Sequence, residues 1–86
     1  MTNEEAKAYL KRKIKNNKEL LEERIEFLVD EARRFIDNVH EAKDDTCKKF
    51  DEVYDLLGTL RRYYEAMEVT NMQTGAYEVA LGLLES

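Results

Sequence analysis

The eight residues His40–Cys47 read H-E-A-K-D-D-T-C, and they lie where the apolar pattern of the chain loses its phase. Apolar residues recur regularly up to Ala42, and the next expected apolar position falls on Thr46. Aspartate and threonine are good helix N-caps and poor helix-interior residues. The stretch therefore predicts a turn over Lys43–Thr46. Because no glycine marks this turn, a single helix that bends here, or whose repeat stutters here, is the alternative.

On each side of this stretch, apolar residues recur in alternating steps of four and three, which is a seven-residue helical repeat. On the N-terminal side the repeat consists of Leu21, Ile25, Leu28, Ala32, Phe35, Val39 and Ala42. On the C-terminal side it consists of Phe50, Val53, Leu57, Leu60, Tyr64 and Met67. The first stripe is widened on its two sides by Leu20, Phe27, Val29 and Ile36. Such a wide stripe favours two helical neighbours, as in a three- or four-helix bundle, over a two-stranded coiled coil.

The two arms that flank the turn have nearly equal lengths. Residues 17–42 and 47–69 make arms of 26 and 23 residues. These arms would be ~39 and ~35 Å long at the helical rise. Arms of equal length can pack along their whole extent, so we predict a long antiparallel hairpin in which the two apolar stripes face each other.

A capping box marks the start of the first helix. Thr2 and Glu5 each satisfy a free backbone amide in such a box, which predicts a short N-terminal helix over 3–15. The Asn16–Asn17 pair then weakens the helical pattern. Either a new helix starts there and covers 17–43, or the first helix continues through both asparagines. The sequence leaves these two alternatives open.

A second capping box, Thr70 with Gln73, predicts a break near the C-terminus. The second arm would then be a helix over 46–69, and a separate short helix would follow over 72–85. That last helix is apolar on nearly all sides, with Glu78 as its only internal charge. A helix of this kind is normally buried. We expect it to pack on the hairpin, on a second copy or on another protein.

These features together predict an all-α protein with a single domain over residues 1–86. The expected architecture is a long antiparallel helical hairpin with short N- and C-terminal helices. Because the stripes offer more apolar surface than one hairpin covers, we expect self-association into a dimeric helical bundle.

Composition supports a helical, cytoplasmic protein. The 86 residues include no proline and only three glycines, and 38% of them are charged, which is typical of long helices. One cysteine cannot form a disulfide within the chain, and this suits a reducing compartment. No apolar run is long enough for a signal peptide or a membrane span.

The net charge of −5 is unevenly distributed. Residues 6–18 contain six basic side chains and no acidic one, namely Lys7, Lys11, Arg12, Lys13, Lys15 and Lys18. A basic segment can contact phosphates, so a nucleic-acid-associated regulator is one alternative function. Only Tyr9 is available nearby for stacking on a base, and a solvated helix face is the simpler interpretation.

The stretch that contains the turn also holds the only histidine and the only cysteine. His40, Asp44 and Cys47 would share one face of an unbroken helix, and all three are metal-ligand types. A turn removes that common face, so we expect no metal and no cofactor. With one histidine at a helix end and no glycine-rich phosphate loop, we identify no catalytic residue and expect no enzymatic activity.

Glu22, Glu23 and Glu26 are followed, after a gap of fourteen residues, by Glu41 and Asp44 in the pattern E-E-x-x-E…E-x-x-D. This pattern resembles the magnesium-binding signature of all-α nucleoside-triphosphate pyrophosphatases of the MazG and dUTPase kind. The resemblance covers about a quarter of the chain and implies carboxylates that hold Mg²⁺ against a triphosphate. That family places its E-x-x-D at the start of an apolar helix, whereas Asp44 here enters a predicted turn. An Mg-dependent pyrophosphatase is the second alternative, and an acidic face paired with nearby basic residues is the simpler interpretation.

Apolar, aromatic and arginine residues of the second half predict a binding surface. Tyrosine and arginine are enriched at binding hot spots. The candidate partner-binding residues are Arg61, Arg62, Tyr63, Tyr64, Tyr77, Leu81 and Leu84. We therefore predict a small interaction module, a regulator, adaptor or inhibitor whose partners are another protein and a second copy of itself.

Overall fold

The computed structural model describes all 86 residues as two long helices joined by one turn. Helix α1 spans Asn3–Glu41 and helix α2 spans Thr46–Glu85. The helices pack antiparallel into a hairpin that measures 64 × 17 × 15 Å. The predicted all-α class and the reversal of chain direction near Asp45 are confirmed.

The turn closes without glycine because Lys43 itself adopts a left-handed backbone conformation, with φ of 54°. The amide of Lys43 donates to the His40 carbonyl at 3.2 Å and that of Asp45 donates to the Ala42 carbonyl at 2.9 Å. Asp45 then caps α2, because its carboxylate accepts a hydrogen bond from the Lys48 amide at 3.0 Å. An exposed lysine thus occupies the position that glycine usually takes after a helix end.

The short N-terminal helix over 3–15 is not a separate element. Helix α1 runs without interruption through Asn16 and Asn17, so the continuous alternative is the correct one. One of the two hydrogen bonds of the predicted capping box is present at the start of α1, where the Glu5 amide donates to the Thr2 hydroxyl at 3.1 Å.

The predicted break at Thr70 and the separate C-terminal helix over 72–85 are wrong, because α2 is continuous to Glu85. The threonine hydroxyls bond within the helix and do not cap a new one. The Thr70 hydroxyl donates to the Ala66 carbonyl at 3.3 Å, and the Thr74 hydroxyl donates to the Thr70 carbonyl at 2.7 Å. Bonds of this kind to the residue four positions earlier are compatible with a helix interior.

Polar contacts connect the two helices at several points along their length. Near the turn, the Asn38 amide donates to the Glu52 carboxylate at 3.1 Å. At mid-length, Arg24 donates to the Thr70 hydroxyl at 3.4 Å. Near the termini the ion pairs are Lys18–Glu78 at 3.5 Å and Lys11–Glu85 at 3.9 Å.

The surface of α2 that packs on α1 differs from the predicted one. The half-buried and buried positions of α2 are Lys49, Glu52, Leu56, Thr59, Tyr63, Ala66, Met67, Thr70, Thr74, Tyr77, Ala80, Leu81 and Leu84. Most of the predicted stripe is exposed instead, including Phe50 at 69% and Leu57 at 60%. Neighbouring residues lie ~100° apart around a helix. Leu56 and Tyr63 therefore face α1, while Leu57 and Tyr64 point to one side.

The hairpin has almost no core of its own. Leu10 is the only buried apolar residue, and no side chain is fully buried. The radius of gyration is 19.3 Å, whereas a compact domain of this length would have about 12 Å. The half-buried positions of α1 that contact α2, such as Leu21, Leu28 and Phe35, remain partly open to solvent.

Candidate functional site

One side of the hairpin, in the half that ends at the turn, exposes a set of core-type side chains that we call the turn-proximal face. On α1 these side chains are 44 to 52% exposed, and on α2 they are 36 to 69% exposed. The face consists of Ile25, Val29 and Ile36 on α1 and of Phe50, Val53, Leu57, Leu60 and Tyr64 on α2. The α2 members follow steps of three and four residues, so they form one continuous stripe along the helix.

The two halves of the turn-proximal face lie on the same side of the hairpin. A groove between the helices is lined by Ile25 and Leu21 of α1 together with Tyr64 and Met67 of α2. Since the other members continue these two stripes at helical spacing, the face is two helices wide and runs toward the turn. Two helices thus present one shared apolar surface.

The opposite side of the same half is mainly polar, although Phe27 on this side is 49% exposed. Its groove is lined mainly by charged and polar groups, namely Glu31, Arg34, Asn38, Glu52, Asp55 and Thr59, with Phe35 and Leu56 at its base. The stacked rings of Phe27 and Tyr63, with centroids 6.5 Å apart, extend this side toward mid-length. The contrast between the two sides gives the hairpin a defined apolar face.

A second set of exposed apolar side chains lies on the C-terminal half of α2, and we call it the outer stripe. It consists of Val69, Met72, Val79 and Leu83, which are 57 to 73% exposed. These positions are separated by three, seven and four residues, so they share one side of the helix, and that side points away from α1. Residues 63–86 contain four acidic and no basic side chains, so the outer stripe lies on a negatively charged segment.

The structure distributes the predicted partner-binding residues over several surfaces. Arg61 is exposed and bonds to Glu65 at 3.1 Å, and Arg62 is exposed near Thr59. Tyr64, 62% exposed, belongs to the turn-proximal face. Tyr63 is half-buried on the opposite side.

The other three predicted residues, Tyr77, Leu81 and Leu84, lie half-buried against α1. Leu81 shares a groove with Ile14 and Lys11 of that helix. The seven predicted residues are therefore not brought together. The exposed members of the α2 repeat, which sequence reasoning assigned to the hairpin interior, form the larger surface.

The basic segment is partly neutralised by acidic residues. Lys7 pairs with Glu4 at 3.5 Å, while Lys11 and Lys18 pair with Glu85 and Glu78 of α2. Arg12 and Lys13 lie over the Tyr9 ring, 5.6 and 5.5 Å from its centroid. The structure shows no intramolecular ion pair for Lys15. Lys7, Lys11, Lys15 and Lys18 follow steps of four, four and three residues, so they share one side of α1, whereas Arg12 and Lys13 lie on other sides. Nucleic-acid binding through the basic segment stays a prediction.

The carboxylates of the pyrophosphatase-like pattern do not come together within one copy. Glu22, Glu23 and Glu26 lie in mid-α1, whereas Glu41 ends that helix and Asp44 lies in the turn. Glu26 and Glu41 are fifteen residues apart on one helix, which is ~22 Å. No group of three or more histidine, cysteine or acidic side chains has a geometry that could hold a metal ion, and this includes His40, Asp44 and Cys47.

Neither helix contains a stretch that is long and apolar enough to cross a membrane. Comparisons of the chain with protein-family models, with curated proteins and with solved structures found no significant match.

Proposed function

We propose that this protein is a small helical interaction module, a regulator, adaptor or inhibitor that acts by binding another protein. The observation that carries this proposal is the distribution of apolar side chains. Sixteen large apolar side chains are exposed while a single one is buried. Extended exposed apolar surfaces of soluble proteins are typical of interaction sites.

The outer stripe has the form that helix-in-groove recognition uses. Four apolar side chains at helical spacing on one exposed side can enter a hydrophobic groove of a partner. The segment around them carries a net charge of −4, with acidic and no basic residues over 63–86. The partner that fits this stripe is a protein with an apolar groove and a basic rim.

A capture experiment with matched variants tests this function. Val79→Lys places a charge in the middle of the outer stripe, whereas Gln73→Lys makes the same kind of change at an exposed position outside it. Proteins captured from a native extract, with and without nuclease, would be identified and the binding repeated with the purified partner. We expect Val79→Lys to weaken binding at least about tenfold and Gln73→Lys to leave it unchanged.

Two outcomes of this experiment contradict the proposal. Equal binding by the wild type and Val79→Lys would remove the outer stripe as the contact. Capture that disappears after nuclease treatment and weakens steeply with salt would favour the nucleic-acid alternative.

A further inference from the structure

We propose that the turn-proximal face is covered by a second copy of this chain, in antiparallel orientation and with the two hairpins offset along their length. The result is a four-helix bundle formed by the two turn-proximal halves, with a two-helix arm projecting at each end. This inference rests on the proposed interaction function and assigns the occupant of one of its two surfaces, so that the outer stripe remains free for another protein.

The exposed area of the hairpin supports a second copy. Its accessible surface is 6825 Å². A compact monomer of the same mass, 10.2 kDa, would expose about 5,300 Å². The excess of about 1,500 Å² is larger than the roughly 800 Å² that each partner buries in an interface of standard size. One copy therefore exposes enough surface to supply its half of an interface of standard size.

The shape of the face also suits a copy of itself. It is two helices wide, and its α2 stripe repeats in steps of three and four residues from Phe50 to Tyr64. Side chains at this spacing pack between those of another helix in a bundle. A two-fold axis through the face places two helices on two helices, since a symmetric dimer uses the same surface on both copies.

The distribution of charge favours the antiparallel orientation. Residues 37–55, at the turn, contain seven acidic and three basic side chains. At the other end, residues 1–18 and 72–86 together contain six basic and four acidic side chains. A parallel dimer would place the two negative turns together. An antiparallel dimer separates the two turns and brings each one to the edge of the partner's basic segment, beside Lys15 and Lys18, so that opposite charges attract.

The position of the face along the hairpin determines the offset. Its α1 members extend from Ile25 to Ile36, so its midpoint lies ~20 Å from the turn. A two-fold axis at this midpoint places the turn of one copy at the level of Lys18 of the other, close to the unpaired Lys15. The overlapping bundle then extends over about 25 residues of α1, or ~38 Å.

Sedimentation equilibrium of matched variants tests whether a second copy covers the turn-proximal face. Leu57→Lys changes the centre of the turn-proximal face, whereas Leu83→Lys makes the same substitution at an even more exposed leucine in the outer stripe. We expect the wild type and Leu83→Lys to form dimers with equal affinity, and Leu57→Lys to weaken dimerisation at least about tenfold. A wild type that remains monomeric at high micromolar concentration, or variants with equal affinity, would overturn the proposal.

Leu57→Lys can also lose helicity, since the isolated hairpin has little core. Thermal melting of the wild type, followed by circular dichroism over a wide concentration range, gives an independent measurement. A melting temperature that rises with concentration is expected for a dimer. A melting temperature that does not change with concentration contradicts it.

Disulfide cross-linking tests the orientation. The antiparallel two-fold axis places α2 on α2 of the partner, and Glu78 is the α2 residue at the level of Lys18. In a Cys47→Ser background, cysteine would be introduced separately at Thr46 and at Glu78. The two variants would then be oxidised alone and as a mixture. We expect cross-linked dimers in the mixture, each linking a Thr46→Cys chain to a Glu78→Cys chain, and little product from Thr46→Cys alone. Efficient cross-linking of Thr46→Cys with itself indicates a parallel dimer and overturns the proposed arrangement.

The two proposals can fail separately. Val79→Lys and Gln73→Lys report on the partner of the outer stripe, whereas Leu57→Lys and the cross-links report on the second copy. A monomer whose binding is lost with Val79→Lys supports the interaction function and excludes the dimer. A dimer whose partner binding is unaffected by Val79→Lys supports the second copy and excludes the outer stripe as the contact with another protein.

Discussion

Arg24 of α1 donates a hydrogen bond from its guanidinium Nη1 to the hydroxyl of Thr70 on α2, at 3.4 Å. The same hydroxyl donates to the Ala66 carbonyl one helical turn earlier. Thr70 is 7% exposed, so this is among the least solvated points of the hairpin. The residue that looked like the cap of a new helix is instead the place where the two long helices are held together at mid-length.

A double-mutant cycle measures this contact. Arg24→Met keeps the length and apolar stem of the side chain, and Thr70→Val keeps the shape of the threonine. Each change removes the cross-helix hydrogen bond, and we expect a coupling free energy of about 1 kcal/mol between them. Chemical denaturation at one fixed protein concentration provides the four free energies of unfolding. A coupling near zero would show that the contact adds nothing to stability.

The left-handed backbone at Lys43 predicts a stabilising substitution. Glycine adopts a φ of 54° without the steric penalty of a side chain, so Lys43→Gly should stabilise the hairpin by about 1 kcal/mol. Lys15→Gly, in the interior of α1, is the matched control and should destabilise it by about 1 kcal/mol. Denaturation midpoints that fall for both variants would contradict the turn geometry.

Asp45 should make a measurable contribution to the start of α2. Its carboxylate accepts the Lys48 amide at 3.0 Å, so Asp45→Ala should reduce the free energy of unfolding by about 1 kcal/mol. Asp45→Asn retains an oxygen acceptor and should retain most of the stability. Asp44→Ala is the control, because no hydrogen bond to the Asp44 carboxylate is seen. Equal losses for Asp44→Ala and Asp45→Ala would argue against the cap.

The environment of Asn17 predicts that an apolar side chain at this position stabilises the packing of α1 on α2. Its amide nitrogen Nδ2 is inaccessible to solvent and has no hydrogen-bond partner in the chain. Leucine at this position would remove that group and add apolar contact, so Asn17→Leu should raise the free energy of unfolding by about 1–2 kcal/mol. Asn16→Leu, at the adjacent exposed position, should change it by less than about 0.5 kcal/mol. Thermal melting of both variants at matched concentration checks the difference.

The turn could be predicted from the sequence because two independent signals coincide there. The apolar repeat loses its phase after Ala42, and Asp45 provides an N-cap at the same point. The continuity of α2 could not be predicted, since threonine followed three residues later by glutamine fits a capping box and a helix interior equally well. The structure shows the helix interior, in which the Thr70 hydroxyl donates to the Ala66 carbonyl and accepts a hydrogen bond from Arg24 of α1.

Of the turn-proximal face, only Tyr64 was among the predicted partner-binding residues, and the other α2 members had been assigned to the hairpin interior. Adjacent apolar pairs, Leu56–Leu57 and Tyr63–Tyr64, make the stripe of α2 wide enough to face two directions. Periodicity alone does not determine which member of each pair packs on α1. In the structure the first members, Leu56 and Tyr63, are half-buried against α1, and the second members are exposed on the turn-proximal face.

Small-angle X-ray scattering tests the central claim, that a second copy covers the turn-proximal face with an offset, because it reports mass and length together. Two hairpins of 64 Å that overlap over ~38 Å give a particle about 90 Å long. We predict a scattering mass of twice 10.2 kDa with this maximum dimension. A mass of 10.2 kDa, or a dimer no longer than the single 64 Å hairpin, would contradict the account.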